Sequence, residues 1–364
     1  VIMKKILCLV LILCCASMIA CGDTGGGSGE VQDNQVQEKQ VIIYEVLSEA
    51  VTVGAGTEWE LPGMLTLPQG YDGKMSAVVI VHGSGANDMD GVSRFYPDWP
   101  NRAYKDIAEG LSARGIAVLR YNKRIFALEH ALKFVEKFGG GATVWEETIE
   151  DAILAAEMLK ADPRIDADRV FILGHSLGGM LAPRIHAMGG NFAGIISFAG
   201  SPRHLHEIIA DQQMLLYKET WEREDYAELE ASLDVEETLA EQIADVINMP
   251  DDEAMAFDAG NGVSLYYYKD MLLHPAEDYV KNIIVPFLIL HAENDLQVFA
   301  VDFKAWRELL EGRDNVKFVL YEGLNHYFMP SKITRSADIF DEYQIPANVD
   351  GQVLADIAAW VHEH

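Results

Sequence analysis

The stretch RVFILGHSLGGMLAPRI, residues 169–185, constrains this chain more than any other. An apolar β-branched run ends at Gly174. A single serine, Ser176, stands between Gly174 and Gly178, and a helix-compatible segment opens at Leu177. A strand that reverses into a helix this abruptly forces its apex residue into strained backbone geometry, and only small neighbours let the turn close. A hydroxyl at such an apex stands proud of the sheet. The amide of the next residue, Leu177, then lies at a helix N-terminus, where negative charge developing on an attacked carbonyl is stabilised. The G-x-S-x-G pattern by itself is weak, and a serine in a plain glycine-rich loop is the alternative; the flanking strand and helix are the context that the motif requires.

The rest of the chain supplies a matching frame. Strand-like runs fall at Tyr44–Val53, Glu58–Leu67, Ala77–His82, Ile116–Tyr121, Val170–Leu173, Gly194–Phe198, Ile284–His291 and Val316–Tyr321. Helix-like stretches fall at Asn101–Arg114, Trp145–Lys160, Leu177–Met188, Phe299–Leu310 and Gly351–His362. Two early strands followed by β-α alternation predict a mostly parallel central sheet with an antiparallel edge. The middle strands are apolar on both faces, so helices are expected on both sides of the sheet. Residues 203–280 do not alternate. They are helix-like, acidic and rich in Met, Tyr and Leu, and are read as a helical cap inserted over the carboxyl ends of the strands. Met214, Leu215, Tyr217 and Trp221 fall at helical spacing on one broad apolar face.

A neutral serine needs a base, and the base needs an orienting carboxylate. In a β-α frame both should follow later strands. Glu293 and Asp295 come just after the run ending at His291, and His326 comes just after the run ending at Tyr321. The order serine, acid, histidine is the one this architecture predicts. A loop after an early central strand should give a second oxyanion donor. The run VVIVHGSG (78–85) provides it: Gly83 and Gly85 allow close backbone approach, and the Ser84 amide is the candidate.

Residues 1–40 read differently. Lys4 and Lys5 precede an apolar run from Ile6 to Ala20, too short to span a bilayer and flanked like a signal peptide, 1–20. It ends SMIAC, which resembles a bacterial lipobox with Cys21 as the lipidated residue; ordinary secretory cleavage near Ala20 or an uncleaved anchor is the alternative. The following GDTGGGSGE reads as a flexible tether, so residues 21–40 are expected to link a membrane anchor to a folded domain at 41–364. The four cysteines are Cys8, Cys14, Cys15 and Cys21. The folded part therefore has no disulfide, cysteine nucleophile or cysteine metal site. The formal charge of −29 disfavours nucleic acid as a partner.

Other conspicuous residues have open readings. Arg120, Lys123 and Arg124 follow a central strand and could attract a substrate carboxylate or pair with the many acids. The run LYYYKDM (265–271) could line a pocket or pack the cap on the sheet. His204 and His206, two apart, would point about 200° apart on a helix and suit no common metal site. His362 and His364 are expected to be disordered.

Six stretches carry a resemblance: LPGMLTLPQGY, VIVHGSG, LSARGIAVLRYNKR, DPRIDADRVFILGHSLGGMLAPRI, PFLILHAENDLQV and NVKFVLYEGLNHYFMP. The chain resembles the α/β-hydrolase superfamily, and more narrowly bacterial carboxylesterases near the dienelactone hydrolases and serine aminopeptidase-like hydrolases. The resemblance implies an esterase fold and a catalytic triad of Ser176, His326 and Asp295, the family turn favouring Asp295 over Glu293. The chain departs from similar esterases at Ala86, Met89 and Asn122. The implied reaction is hydrolysis of a small-molecule ester through an acyl-enzyme, with no metal or organic cofactor. A peptidase or amidase, an acyltransferase, and a ligand-binding lipoprotein on an inactive scaffold are the alternatives.

Overall fold

In the computed structural model, residues 42–220, 243, 245–257 and 263–364 are described. Leader, Cys21 and tether lie outside them, as do Trp221 and the side chain of Tyr217. Eight strands form one sheet: β1 (Val46–Val53), β2 (Leu61–Pro68), β3 (Met75–Val81), β4 (Ala117–Tyr121), β5 (Ile165–His175), β6 (Ile195–Phe198), β7 (Phe287–Ala292) and β8 (Val316–Tyr321). Their order across the sheet is β1-β2-β4-β3-β5-β6-β7-β8. β1 pairs antiparallel with β2, and β2 with β4; every other pairing is parallel.

The sheet is two-sided because its strands alternate apolar residues with period two. Val79 and Val81 of β3, Ile172 of β5 and Ile289 of β7 share one core cluster, while Val78, Ile80, Leu173 and Leu290 share the other. The described helices are α1 (Ala103–Ser112), α2 (Leu128–Phe138), α3 (Glu150–Ala161), α4 (Leu177–Ile185), α5 (Leu205–Thr220), α6 (Asp251–Ala256), α7 (Leu265–Leu273), α8 (Ala276–Val280), α9 (Ala300–Leu309), α10 (Ile339–Glu342) and α11 (Gly351–Glu363). α3 and α4 cover the first face through Ala152, Leu159, Leu181 and Ile185; α1 and α11 cover the second through Ile107, Leu111, Ile357 and Trp360.

Three local departures from the sequence reading have physical causes. β5 begins at Ile165, well before Val170, because Ile165 pairs with Met75 across an irregularity in the ladder. Helix α2 was not expected. Its inner residues Phe134 and Phe138 pack on Trp59, at ring distances of 6.3 and 6.2 Å, from the turn between β1 and β2. The C-terminal residues are ordered: α11 runs to Glu363, and the His362 ring bonds the Arg114 carbonyl at 2.8 Å.

Between β6 and β7 lie the described helices α5 to α8, and α5 is tied to segments that follow strands. Gln212 of α5 donates to the Gln297 carbonyl at 2.6 Å, beyond β7, and Glu219 accepts from Ser336 and Ala337, beyond β8. Asp270 of α7 takes a two-point ion pair from Arg184 of α4, at 2.7 and 3.0 Å. The run LYYYKDM packs: Leu265, Tyr267, Tyr268 and Met271 are all buried. Ala276 and Val280 of α8 join the core beside Leu181 and Ile185.

Candidate active site

The strand order sets where a site can form. From β3 the chain crosses to β4 on one side, then returns past β3 to β5 on the other. The connections leaving β3 and β5 therefore diverge, and a crevice opens at the carboxyl ends of these two neighbours. Gly83 follows β3 and Ser176 follows β5.

Ser176 has φ 55° and ψ −118°, in the left-handed half of backbone space that a residue with a side chain rarely enters. It is held there by bonds on both sides: its N–H donates to the Phe198 carbonyl at 2.9 Å, and its carbonyl accepts from Met180 at 3.1 Å. The glycines are steric requirements. A Cβ on residue 174 would lie 2.1 Å from the Gly178 carbonyl oxygen, and one on residue 178 would lie 2.5 Å from that of Val81. Helix α4 also carries Pro183, which cannot donate to the Gly179 carbonyl. The Ser197 hydroxyl donates to that oxygen instead, at 3.3 Å.

The two later residues meet. His326 Nδ1 donates to Asp295 Oδ2 at 2.7 Å, and both residues are only 4% exposed. The other carboxylate oxygen of Asp295 accepts from the Gln297 and Val298 amides at 2.8 and 2.9 Å. That arrangement fixes the imidazole tautomer and leaves Nε2 free to accept a proton. Glu293 is exposed and makes no bond to His326 among the described residues. The histidine loop is pinned from beneath by Phe328, fully buried at φ 56°, whose ring lies 3.9 Å from that of Phe198.

No hydrogen bond joins the Ser176 hydroxyl to His326 among the described residues. Their loops are joined through His175 and Tyr104, both buried and neither assigned a role from sequence. Because the His326 carbonyl accepts from His175 Nε2 at 3.1 Å, His175 Nδ1 must be the unprotonated nitrogen. The Tyr104 hydroxyl therefore donates to Nδ1, at 2.9 Å, and accepts the Gly83 N–H at 3.2 Å. One directional chain thus spans the loop after β3, the serine turn and the histidine loop. His175 adjoins the motif in sequence, but no local signal marks Tyr104 as its partner.

A Cβ on residue 83 would sit 3.0 Å from Ser176 Cβ, so the loop at Gly83–Ser84 lies against the serine. The amides of Ser84 and Leu177 carry no hydrogen bond among the described residues. Met89 and Asn122 bond each other: the Met89 amide donates to Asn122 Oδ1 at 2.9 Å. The three cations at and just beyond the end of β4 are all paired. Arg120 pairs with Asp90, Lys123 with Glu147, and Arg124 with Glu150 and Asp151.

Burial keeps two histidines around the site neutral. It lowers His82 from 6.5 to about 3, helped by the charge of Lys123, and it pushes His175 well below 6.5, helped by His326. Below pH 6.5 the unfolded chain protonates both rings while the folded protein does not, so stability falls as pH falls. Each ring contributes about 1 kcal/mol per pH unit in that window. Asp151, raised by burial to about 6, works the other way between about pH 4 and 6 and offsets part of one ring. We expect the Tm to drop by roughly 5 °C from pH 7 to pH 5. A flat calorimetric profile over that range would show that both rings accept protons without unfolding.

A mostly parallel sheet covered on both faces, with a strained serine at the strand-to-helix turn after β5, defines an α/β-hydrolase fold. Residues 100–330 match the serine aminopeptidase, S33 family, and the chain belongs to that family. It is also 37% identical over 305 residues to the esterase EstD of Thermotoga maritima, an alignment that covers 83% of this chain and 65% of that protein. The chain thus spans slightly less than two thirds of that relative's length. Among solved structures it is similar to Est1E from Butyrivibrio proteoclasticus, with a TM-score of 0.52 and 16% identity over 86% of this chain and 99% of that one. It is also similar to an esterase from Pyrococcus furiosus, with a TM-score of 0.50 and 14% identity over 94% and 99%. At such low identity these two structures speak to the fold alone.

Proposed function

We propose that this protein is a serine hydrolase that cleaves carboxylic esters through an acyl-enzyme on Ser176. The observation that carries the reading is the buried 2.7 Å pair between His326 and Asp295, joined through His175 to the strained serine turn. His326 Nε2 takes the Ser176 proton as the hydroxyl attacks the acyl carbonyl, and Asp295 stabilises the resulting imidazolium. The Ser84 and Leu177 amides receive the oxyanion. His326 then protonates the leaving alcohol, and water repeats the cycle to release the acid. The esterase relative at 37% identity supports an ester over an amide, whereas the family's description as serine aminopeptidases favours a peptide bond.

The helices between β6 and β7 are proposed to roof the acyl pocket, since α5 bonds Gln297 just beyond β7, and Tyr267 of α7 bonds Glu147, which pairs with Lys123 just beyond β4. A roofed pocket limits acyl length, because overpacking a closed site typically costs ~1–3 kcal/mol. The acid-rich surface disfavours anionic substrates. The preferred substrates are therefore short, uncharged or cationic acyl esters. The test is a series of esters from acetyl to palmitoyl beside aminoacyl amides, with a serine-reactive phosphonate as label. Rates should peak at short acyl chains and be far lower on amides. Rates peaking at long chains would overturn the short-acyl reading, and amides cleaved faster than esters would make the protein a peptidase.

The tether is proposed to hold the domain at a membrane through lipid on Cys21. Cys21→Ser is expected to move the protein from the membrane to the soluble fraction. An otherwise cleaved variant that stays with the membrane would show a different attachment.

A further inference from the structure

Lys123 is buried, 2% exposed, and its ammonium is spent inside the protein. Nζ donates to the Gly83 carbonyl at 3.1 Å and pairs with Glu147 Oε1 at 3.0 Å. The other oxygen of Glu147 accepts the hydroxyl of Tyr267 at 2.7 Å, and Tyr267 belongs to α7 of the insertion. A continuous polar strut therefore runs from the insertion, through Glu147 and Lys123, to the loop that lies against Ser176.

The consequence is directional. In a trans peptide the carbonyl and the following N–H point opposite ways. Holding the Gly83 oxygen on Lys123 turns the Ser84 N–H away from Lys123, and that amide has no other partner among the described residues. The Gly83–Ser84–Gly85 segment would otherwise be free to rotate this peptide, since glycine lacks the steric restraint of a Cβ. The opposite orientation would aim a carbonyl oxygen at the developing oxyanion. A charge-assisted bond to the Gly83 oxygen opposes that flip and polarises the same peptide toward stronger donation from its N–H. Asn87 holds the next carbonyl, that of Ser84, at 2.8 Å.

We infer that Lys123 is a positioning residue that sets the Ser84 amide as an oxyanion donor, and that Glu147 and Tyr267 brace it, so that the insertion and the oxyanion hole are mechanically linked. The inference rests on the serine-hydrolase reading above. Lys123 touches no reacting atom in this scheme. It acts through the backbone, and its loss should raise the barrier while leaving ground-state binding intact.

The test uses the full chain and two variants. Lys123→Met combined with Glu147→Gln removes both charges together, so that no buried carboxylate is left unpaired; Tyr267→Phe removes one hydroxyl. Each is assayed for kcat and KM on an acetyl ester, for inhibition by a trifluoromethyl ketone that forms a tetrahedral oxyanion, and for Tm. In the double variant kcat is expected to fall about 30- to 300-fold with KM within about threefold, and the ketone's inhibition constant should rise by a similar factor. Tyr267→Phe should follow the same pattern at about three- to tenfold. If the double variant does not fold, Tyr267→Phe decides alone. A folded variant with unchanged kcat, or one whose kcat falls while ketone binding holds, overturns the strut. Ser176→Ala, run alongside, separates the two claims: retained hydrolysis there would overturn the hydrolase reading itself, whereas its loss beside an unaffected strut variant overturns only the role of Lys123.

Discussion

Ser176→Ala is expected to lower kcat by about 10⁴- to 10⁶-fold and to abolish phosphonate labelling, with the Tm nearly unchanged. The serine is half-buried at a turn whose geometry is set by backbone bonds to Phe198 and Met180, so loss of one hydroxyl leaves the turn in place. The residual rate would come from the oxyanion donors and substrate binding. His326→Ala should do comparable damage. Asp295→Asn should cost about 10⁴-fold, because an amide in place of the carboxylate no longer favours the tautomer with its proton on Nδ1. Glu293→Gln should stay within about twofold, since that side chain is exposed and the imidazole is bonded to Asp295 instead. Steady-state kinetics on a short acyl ester checks all four. Full activity of the serine variant, or a larger loss at Glu293 than at Asp295, would overturn the assignment.

The second large effect concerns folding as well as activity. Gly174→Ala would place a methyl 2.1 Å from the Gly178 carbonyl oxygen, a backbone atom in the first turn of α4 that cannot swing aside. The turn must open, and with it the register of Ser176 against Gly83. We expect a loss above about 4 kcal/mol in stability, or failure to accumulate as soluble protein, together with loss of ester hydrolysis. Gly351→Ala is the matched control. It has no atom within 4 Å of the new methyl and a φ outside the left-handed region, so it should shift stability by less than about 1 kcal/mol. Chemical denaturation of both variants measures the contrast. A Gly174 variant as stable as the control would mean that the tight turn is not what holds the serine.

Much of this architecture is legible in the chain because its signals are local. A run such as AVVIV, short, β-branched and closed by His82-Gly83, favours an interior strand buried on both faces, and it sits where β3 is found, with Val78 and Ile80 on one face and Val79 and Val81 on the other. The G-x-S-x-G turn is a steric statement about five consecutive residues, so its strained apex could be read before any fold was known. The serine, acid and histidine could be placed in order because each follows a strand. Helix α2 carries a local signal of its own, with Leu128, Ala131, Leu132 and Val135 at helical spacing, but nothing in it announces its partner: Phe134 and Phe138 pack on Trp59, from a hairpin some 70 residues earlier.

Tertiary structure alone decided the wiring. Tyr104 and His175 are 71 residues apart, His175 and His326 are 151 apart, and Glu147 and Tyr267 are 120 apart. The sequence determined that a polar side chain stands at each of these positions; the fold decided which of them meet. It turned Lys123 from a candidate rim cation into a buried strut, and Tyr267 from a candidate pocket wall into a brace. The reason is physical. Strand and turn formation depend on neighbours along the chain, whereas a buried hydrogen bond forms between whatever donors and acceptors the packed sheet and helices bring within about 3 Å, and burial makes any unpaired group there costly.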